Sequence, residues 1–208
     1  MRNWLFVPFV SLLFTFPAFA TEVHVLSAGA VEPALVVAAD AFHNETSNEV
    51  RINYATSPEI RRRIGAGETA DVVIAPPAVL DEVAKSGKLD SPARVELGRV
   101  GIGIAVRDGL PKPDISTIEA FKRAVLDGSE MFEHVIKGQG NELAFSPITE
   151  ILLYRGKGLQ LVGPLPPEIQ NFTAYAAEPA ASSEVALAFV HFLGTPAAKA
   201  IFVAAGVE

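Results

Sequence analysis

Two short segments carry residue types that could hold a small anion. Ser27-Ala28-Gly29 ends the apolar run 23–26, and Thr56-Ser57 ends the alternating run 50–54. Each is followed by a proline in what reads as the first turn of a helix, Pro33 after one and Pro58 after the other. Such a loop offers backbone N–H groups and a hydroxyl at a helix N-terminus, where the partial positive charge favours an oxyanion. Small and hydroxylated residues are also common in ordinary βα turns. Here, however, the same device occurs at two consecutive strand ends. Loops at the carboxyl ends of adjacent parallel strands converge on one crevice, so together they predict an anion site.

Other chemistry is sparse. Gly101-x-Gly103 lacks a third glycine and is no strand-to-helix turn, so it does not predict a dinucleotide site. His24, His43, His134 and His191 have no metal-ligand spacing, and without cysteine neither a structural zinc nor a disulfide is expected. No G-x-S-x-G elbow is present. Arg61-Arg62-Arg63 reads as a solvated helix face with one arginine in reach of a carboxylate ligand. Phe189, Phe192 and Phe202 read as core. No metal or cofactor is expected.

The elements that must position the two loops read as alternating strands and helices. Strands are expected at 23–26, 50–54 and 71–75, with helices opening at Pro33, at Thr56 or Ser57, and at Pro77; the last ends at Gly87. That order predicts a parallel α/β sheet. In RVGIGIAVR (99–107) Val100, Ile102, Ile104 and Val106 share one face and only Gly or Ala the other, so something packs closely on it or the strand bends. Ser116 and Glu119 predict a capping box for a helix ending at Gly128, and a second helix runs from Ser129 to Gly138. This helix-to-helix joint, between Val125 and Met131, lacks the strand that an open α/β unit needs. Leu143 to Ser146 reads as a short strand, and 158–177 as two extended segments around a Pro-Pro turn. Two helices close the chain, the second opened by Thr195-Pro196.

Residues 1–20 read as an export signal, with Arg2, an apolar stretch broken by Pro8 and Pro17, and Ala18-Phe19-Ala20 as the cleavage site before Thr21. Removing Arg2 with them takes the formal charge from −7 to −8, sixteen Lys+Arg facing 24 Asp+Glu. That acidity excludes nucleic acid and anionic membranes as partners, and an anion must be held by local dipoles rather than by the global field. A periplasmic monomer with no membrane insertion after cleavage is expected.

VLSAGAVEPAL, YATSPEIRRRIGAGETADVVI, GRVGIGIAVRDGLPKPDISTIEAFKRA and LQLVGPLPPEIQNFTAYAA resemble the molybdate-type periplasmic binding proteins of ABC transporters. They are most similar to the branch that includes periplasmic aconitate isomerase. The resemblance covers nearly all of the chain after residue 20. It implies a type II periplasmic-binding-protein fold, two α/β lobes joined by crossing strands with the ligand between them, and a membrane permease as partner. It places first-lobe ligand groups at Ser27, Ala28, Thr56 and Ser57. After FKRAVL, relatives continue with a strand, a Ser- and Gly-rich loop and a further helix and strand; this chain passes almost directly to MFEHVIKGQGNELAFSPITEIL. Ser146 and Thr149 are what remains for the second lobe.

The expected architecture is therefore one complete lobe (21–100 with 171–208) and one reduced lobe with the crossing strands (101–170). The leading function is capture of a small oxyanion or carboxylate for an ABC importer. A second reading is an isomerase that moves a proton within a tricarboxylate, for which Glu150 and Glu59 are the carboxylates nearest the motifs. A third is a chain that keeps the fold and binds little.

Overall fold

The computed structural model describes residues 21–85, 87, 89, 93–126, 132–138, 142–180 and 183–208. The export signal and the joint at Gly128-Ser129 lie outside the described residues.

The apolar runs fold as strands and the proline-opened segments as helices. β1 (Glu22–Ala28), β2 (Glu49–Ala55) and β3 (Val72–Ala75) are parallel, with β1 in the middle. A 3-10 turn (Gly29–Val31) and α1 (Glu32–Thr46) connect β1 to β2, and α2 (Ser57–Gly65) connects β2 to β3. α1 ends on Ser47, whose φ of 60° places a non-glycine residue in the left-handed region. α3 (Pro77–Lys85) follows β3. Buried residues of β1 and β3 pack against Leu35, Ala38 and Phe42 of α1 and Phe189 of a C-terminal helix, and Phe42 and Phe189 meet edge to face at 5.1 Å.

β4 (Val95–Arg107) joins the two parts of the molecule. Its first half pairs antiparallel with β7 (Phe172–Pro179), which itself pairs antiparallel with β3. Its second half pairs antiparallel with β5 (Ala144–Pro147) and β6 (Leu159–Pro164). The strand path is thus β2-β1-β3-β7-β4-β5, with β6 also on β4. Gly98 lies at a register shift in β4 with φ +128°, and a Cβ there would stand 2.6 Å from the Glu208 carbonyl oxygen. The flat face of β4 is where neighbours come close. A Cβ on Gly103 would stand 2.7 Å from Ile148 Cγ1, and the Gln170 amide both accepts from the Ile102 N–H and donates to the Ile102 carbonyl, each at 2.9 Å.

The remaining helices are α4 (Ile118–Leu126), α5 (Phe132–Lys137), α6 (Ile148–Leu153), α7 (Glu184–Leu193) and α8 (Pro196–Ala204). α4 is not capped by Ser116 as expected. Thr117 Oγ1 accepts from the Ala120 N–H, while Ser116 donates to Asp114 from both its N–H and its hydroxyl. An acidic residue two positions earlier outcompetes the helix for the Ser116 hydroxyl. Thr195 caps α8 as expected, accepting from the Ala198 N–H at 3.2 Å. Among the described residues no single helix is long and apolar enough to cross a membrane.

Candidate functional site

β1 and β2 run parallel with Ser27 opposite Tyr54 and Ala28 opposite Ala55, so their carboxyl ends finish side by side. The loops that leave them, 28–30 and 54–57, form one wall of a cleft of about 400 Å³, and Glu150 of α6 and Tyr175 of β7 form the other. Thr56 adopts an extended conformation as the N-cap of α2, yet its hydroxyl makes no capping bond. The first-turn N–H groups of a helix have no intrahelical partners, so this end of α2 presents donors and a positive dipole end to the cleft.

The expected site residues divide into two groups. Ala28, Thr56 and Ser57 line the cleft together. Ser27 does not: successive strand residues point to opposite faces, and its fully buried hydroxyl donates to the Ala28 carbonyl at 3.1 Å. Thr149 is also fully buried and donates to the Ala30 carbonyl at 2.6 Å, fastening α6 to the 3-10 turn. Ser146 donates to Glu150 Oε2 at 2.7 Å. Glu59 faces away and accepts from Arg62 at 2.8 and 2.7 Å, and this bond holds its carboxyl below the ordinary range. No arginine of the triplet lines the cleft: Arg61 pairs with Glu82 at 2.8 Å, and Arg63 with Glu68. Carboxylates three to five residues away, or on the neighbouring helix, satisfy these guanidinium groups before a ligand could.

Two tyrosines were not foreseen from the sequence. Tyr54 lines the cleft, and its hydroxyl, shielded from solvent, has no hydrogen-bond partner among the described residues. Burial, helped by the field of Glu32, pushes its phenol well above the ordinary range. Burial and then the field of Glu150 raise the Tyr175 phenol, partly offset by a hydrogen bond with Thr173. Both therefore remain neutral donors at physiological pH. The one available sequence signal was the position of Tyr54, near the end of β2 and two residues before Thr56. Among the described lining residues Glu150 is the one acidic or basic side chain. No cluster of three potential metal ligands occurs among the described residues.

A twisted α/β sheet, two connected halves sharing one long strand, and a cleft at the carboxyl ends of parallel strands define the class: the fold is that of type II periplasmic binding proteins. The molybdate-binding protein of Azotobacter vinelandii superposes with a TM-score of 0.68 at 15% identity, covering 90% of this chain and 98% of that one. The sulfate-binding protein of Mycobacterium tuberculosis gives 0.68 at 17% identity, covering 90% and 86%. The chain belongs to the bacterial extracellular solute-binding protein family, which it matches over residues 23–129 and 127–208. Aconitate isomerase from a Pseudomonas species is 29% identical over 229 residues, 87% of this chain and 86% of that protein.

Proposed function

We propose that this protein is an exported receptor that captures a small oxyanion or carboxylate in the cleft between α2 and α6, and delivers it to the permease of an ABC importer. The observation that carries the reading is the convergence of Thr56, Ser57 and the 28–30 loop at the carboxyl ends of two parallel strands. Family membership and the oxyanion-binding neighbours support it. In this reading the signal is cleaved after Ala20, residues 21–100 with 171–208 form the first lobe, and 101–170 form a reduced second lobe. Support for the reduction comes from two sides. An alignment of 229 residues over 87% of a 208-residue chain requires tens of positions that this chain lacks. The family match also breaks at residues 127–129.

A receptor of this kind gains affinity by meeting each ligand oxygen from both lobes. Of the expected second-lobe donors, Ser146 is bonded to Glu150 and Thr149 to Ala30. Each lost charge-assisted bond removes about 1.5–3 kcal/mol, so affinity is expected to be no better than micromolar. Calorimetry with molybdate, tungstate, sulfate and a tricarboxylate is the test. Thr56→Ala and Ser57→Ala should each weaken whatever binds by about 1.5–3 kcal/mol. Unchanged binding by both variants would place the site elsewhere.

One observation favours a second reading, proton transfer within a tricarboxylate. A carboxylate, Glu150, stands in the cleft where a general base would, in a chain similar to an aconitate isomerase. Incorporation of deuterium from heavy water into aconitate at high protein concentration would establish it; no exchange and no cis–trans interconversion would remove it.

A further inference from the structure

Glu150 is an unusual group to find in an anion cleft. Its Oε2 accepts from Ser146 at 2.7 Å, while its Oε1 lies on the side of Gly29, 3.7 Å from where a Cβ would be. No Lys, Arg or His stands among the described lining residues to balance it. A ligand made only of acceptor oxygens would meet Oε1 acceptor to acceptor, with the helix dipole of α2 worth only about half a charge in compensation. A ligand that brings an O–H turns the same contact into a charge-assisted hydrogen bond.

We propose that the cleft selects an oxyanion that itself carries a proton donor, a hydroxyl or an acidic O–H, given to Glu150 Oε1 while Thr56, Ser57 and Tyr54 donate to its other oxygens. This rests on the reading of the cleft as an anion site and narrows its ligand class. Tyr54 supplies an independent reason. A shielded phenol without a partner is costly in the free protein and is explained if a ligand acceptor satisfies it. That phenol is neutral at physiological pH, as an ordinary tyrosine is, and its burial shifts it further in the same direction, so it stays a donor. The cleft then offers several donors and one acceptor, the complement of an anion with several acceptors and one donor.

The test uses two pairs of probes matched in size and differing in the donor, at neutral pH: phosphate against sulfate, and citrate against tricarballylate. Calorimetry on the full exported chain reads the preference, and the two pairs separate an inorganic from an organic ligand. For whichever framework binds, the donor-bearing member should bind about 10- to 100-fold more tightly. Glu150→Gln, whose amide can donate, should abolish that preference or reverse it. Tyr54→Phe supplies the second readout: it should raise the melting temperature of the free protein by about 2–6 °C while weakening the ligand about 10-fold. A purely structural tyrosine would not move the two in opposite directions. Equal binding of both members of a pair, or a preference unmoved by Glu150→Gln, would overturn the selection while leaving the anion site standing. Failure of all four probes, together with molybdate and tungstate, would overturn the anion site and the selection with it.

Discussion

Behind β1, β3 and β7 the buried apolar residues form one continuous cluster that runs from Val23 to Val207 and takes in Phe42, Phe189 and Phe202. Around β5 and β6 they split into two small ones, Ala105, Val135, Ala144, Ile151 and Leu159 in one and Ile104, Val106 and Leu143 in the other. β4 belongs to both halves, so the difference is not in its sequence but in how many helices cover it. The larger half holds five helices against its sheet, α1, α2, α3, α7 and α8, and fixes the two donor loops. Among the described residues the smaller half presents only α6 to the cleft, held by the Thr149–Ala30 bond. A site assembled this way has one rigid wall and one wall whose position depends on a few contacts.

That contrast can be broken experimentally. Phe189→Ala removes a ring from the centre of the large cluster and should cost about 3–5 kcal/mol in denaturant unfolding. Ile151→Ala, in the small cluster, should cost less, about 2 kcal/mol, at the low end for such truncations. Equal losses would mean that the two halves share one core. Arg94 bridges Asp81 at 2.8 Å and Glu178 at 2.7 Å, and Glu178 is only 2% exposed in the middle of the large sheet. Arg94→Met leaves that carboxylate unpaired and should destabilise by about 3 kcal/mol, the lower end of the buried range because Arg94 keeps 30% of its exposure. Denaturant unfolding of the variant beside the parent protein would check it.

Smaller effects sharpen the comparison. Gly103→Ala drives a Cβ into Ile148 at the start of α6 and should cost about 1–2 kcal/mol. It should also weaken ligand binding more than an equally destabilising change in the large half. Amides of β5 and β6 should exchange with heavy water before those of β1 and β3, because small clusters open locally first. Similar protection would put the two walls on an equal footing. Finally, the raised phenols of Tyr54 and Tyr175 bind their protons more tightly folded than unfolded. Stability is therefore independent of their titration below about pH 10. It falls as the pH climbs from there through the folded values, which an alkaline melting series would reveal.

Much of this was legible without coordinates. The β-branched runs before Ser27 and Thr56, the prolines that open α1, α2, α3 and α8, and the glycine face of β4 are local signals. Period, capping chemistry and backbone freedom act over a few residues, so they determine where strands, helices and a close approach must occur. The convergence of Ala28, Thr56 and Ser57 followed from parallel order alone. Tertiary structure decided which hydroxyls were already in use. Ser27 turns inward because of its place in the pleat, and Thr149 bonds a carbonyl 119 residues earlier. The arginine triplet is held by carboxylates around it, and a tyrosine with a shielded hydroxyl joins Glu150 in the cleft. A side chain's partner depends on what the rest of the chain brings within 3 Å of it, and residue spacing along the sequence does not encode that distance.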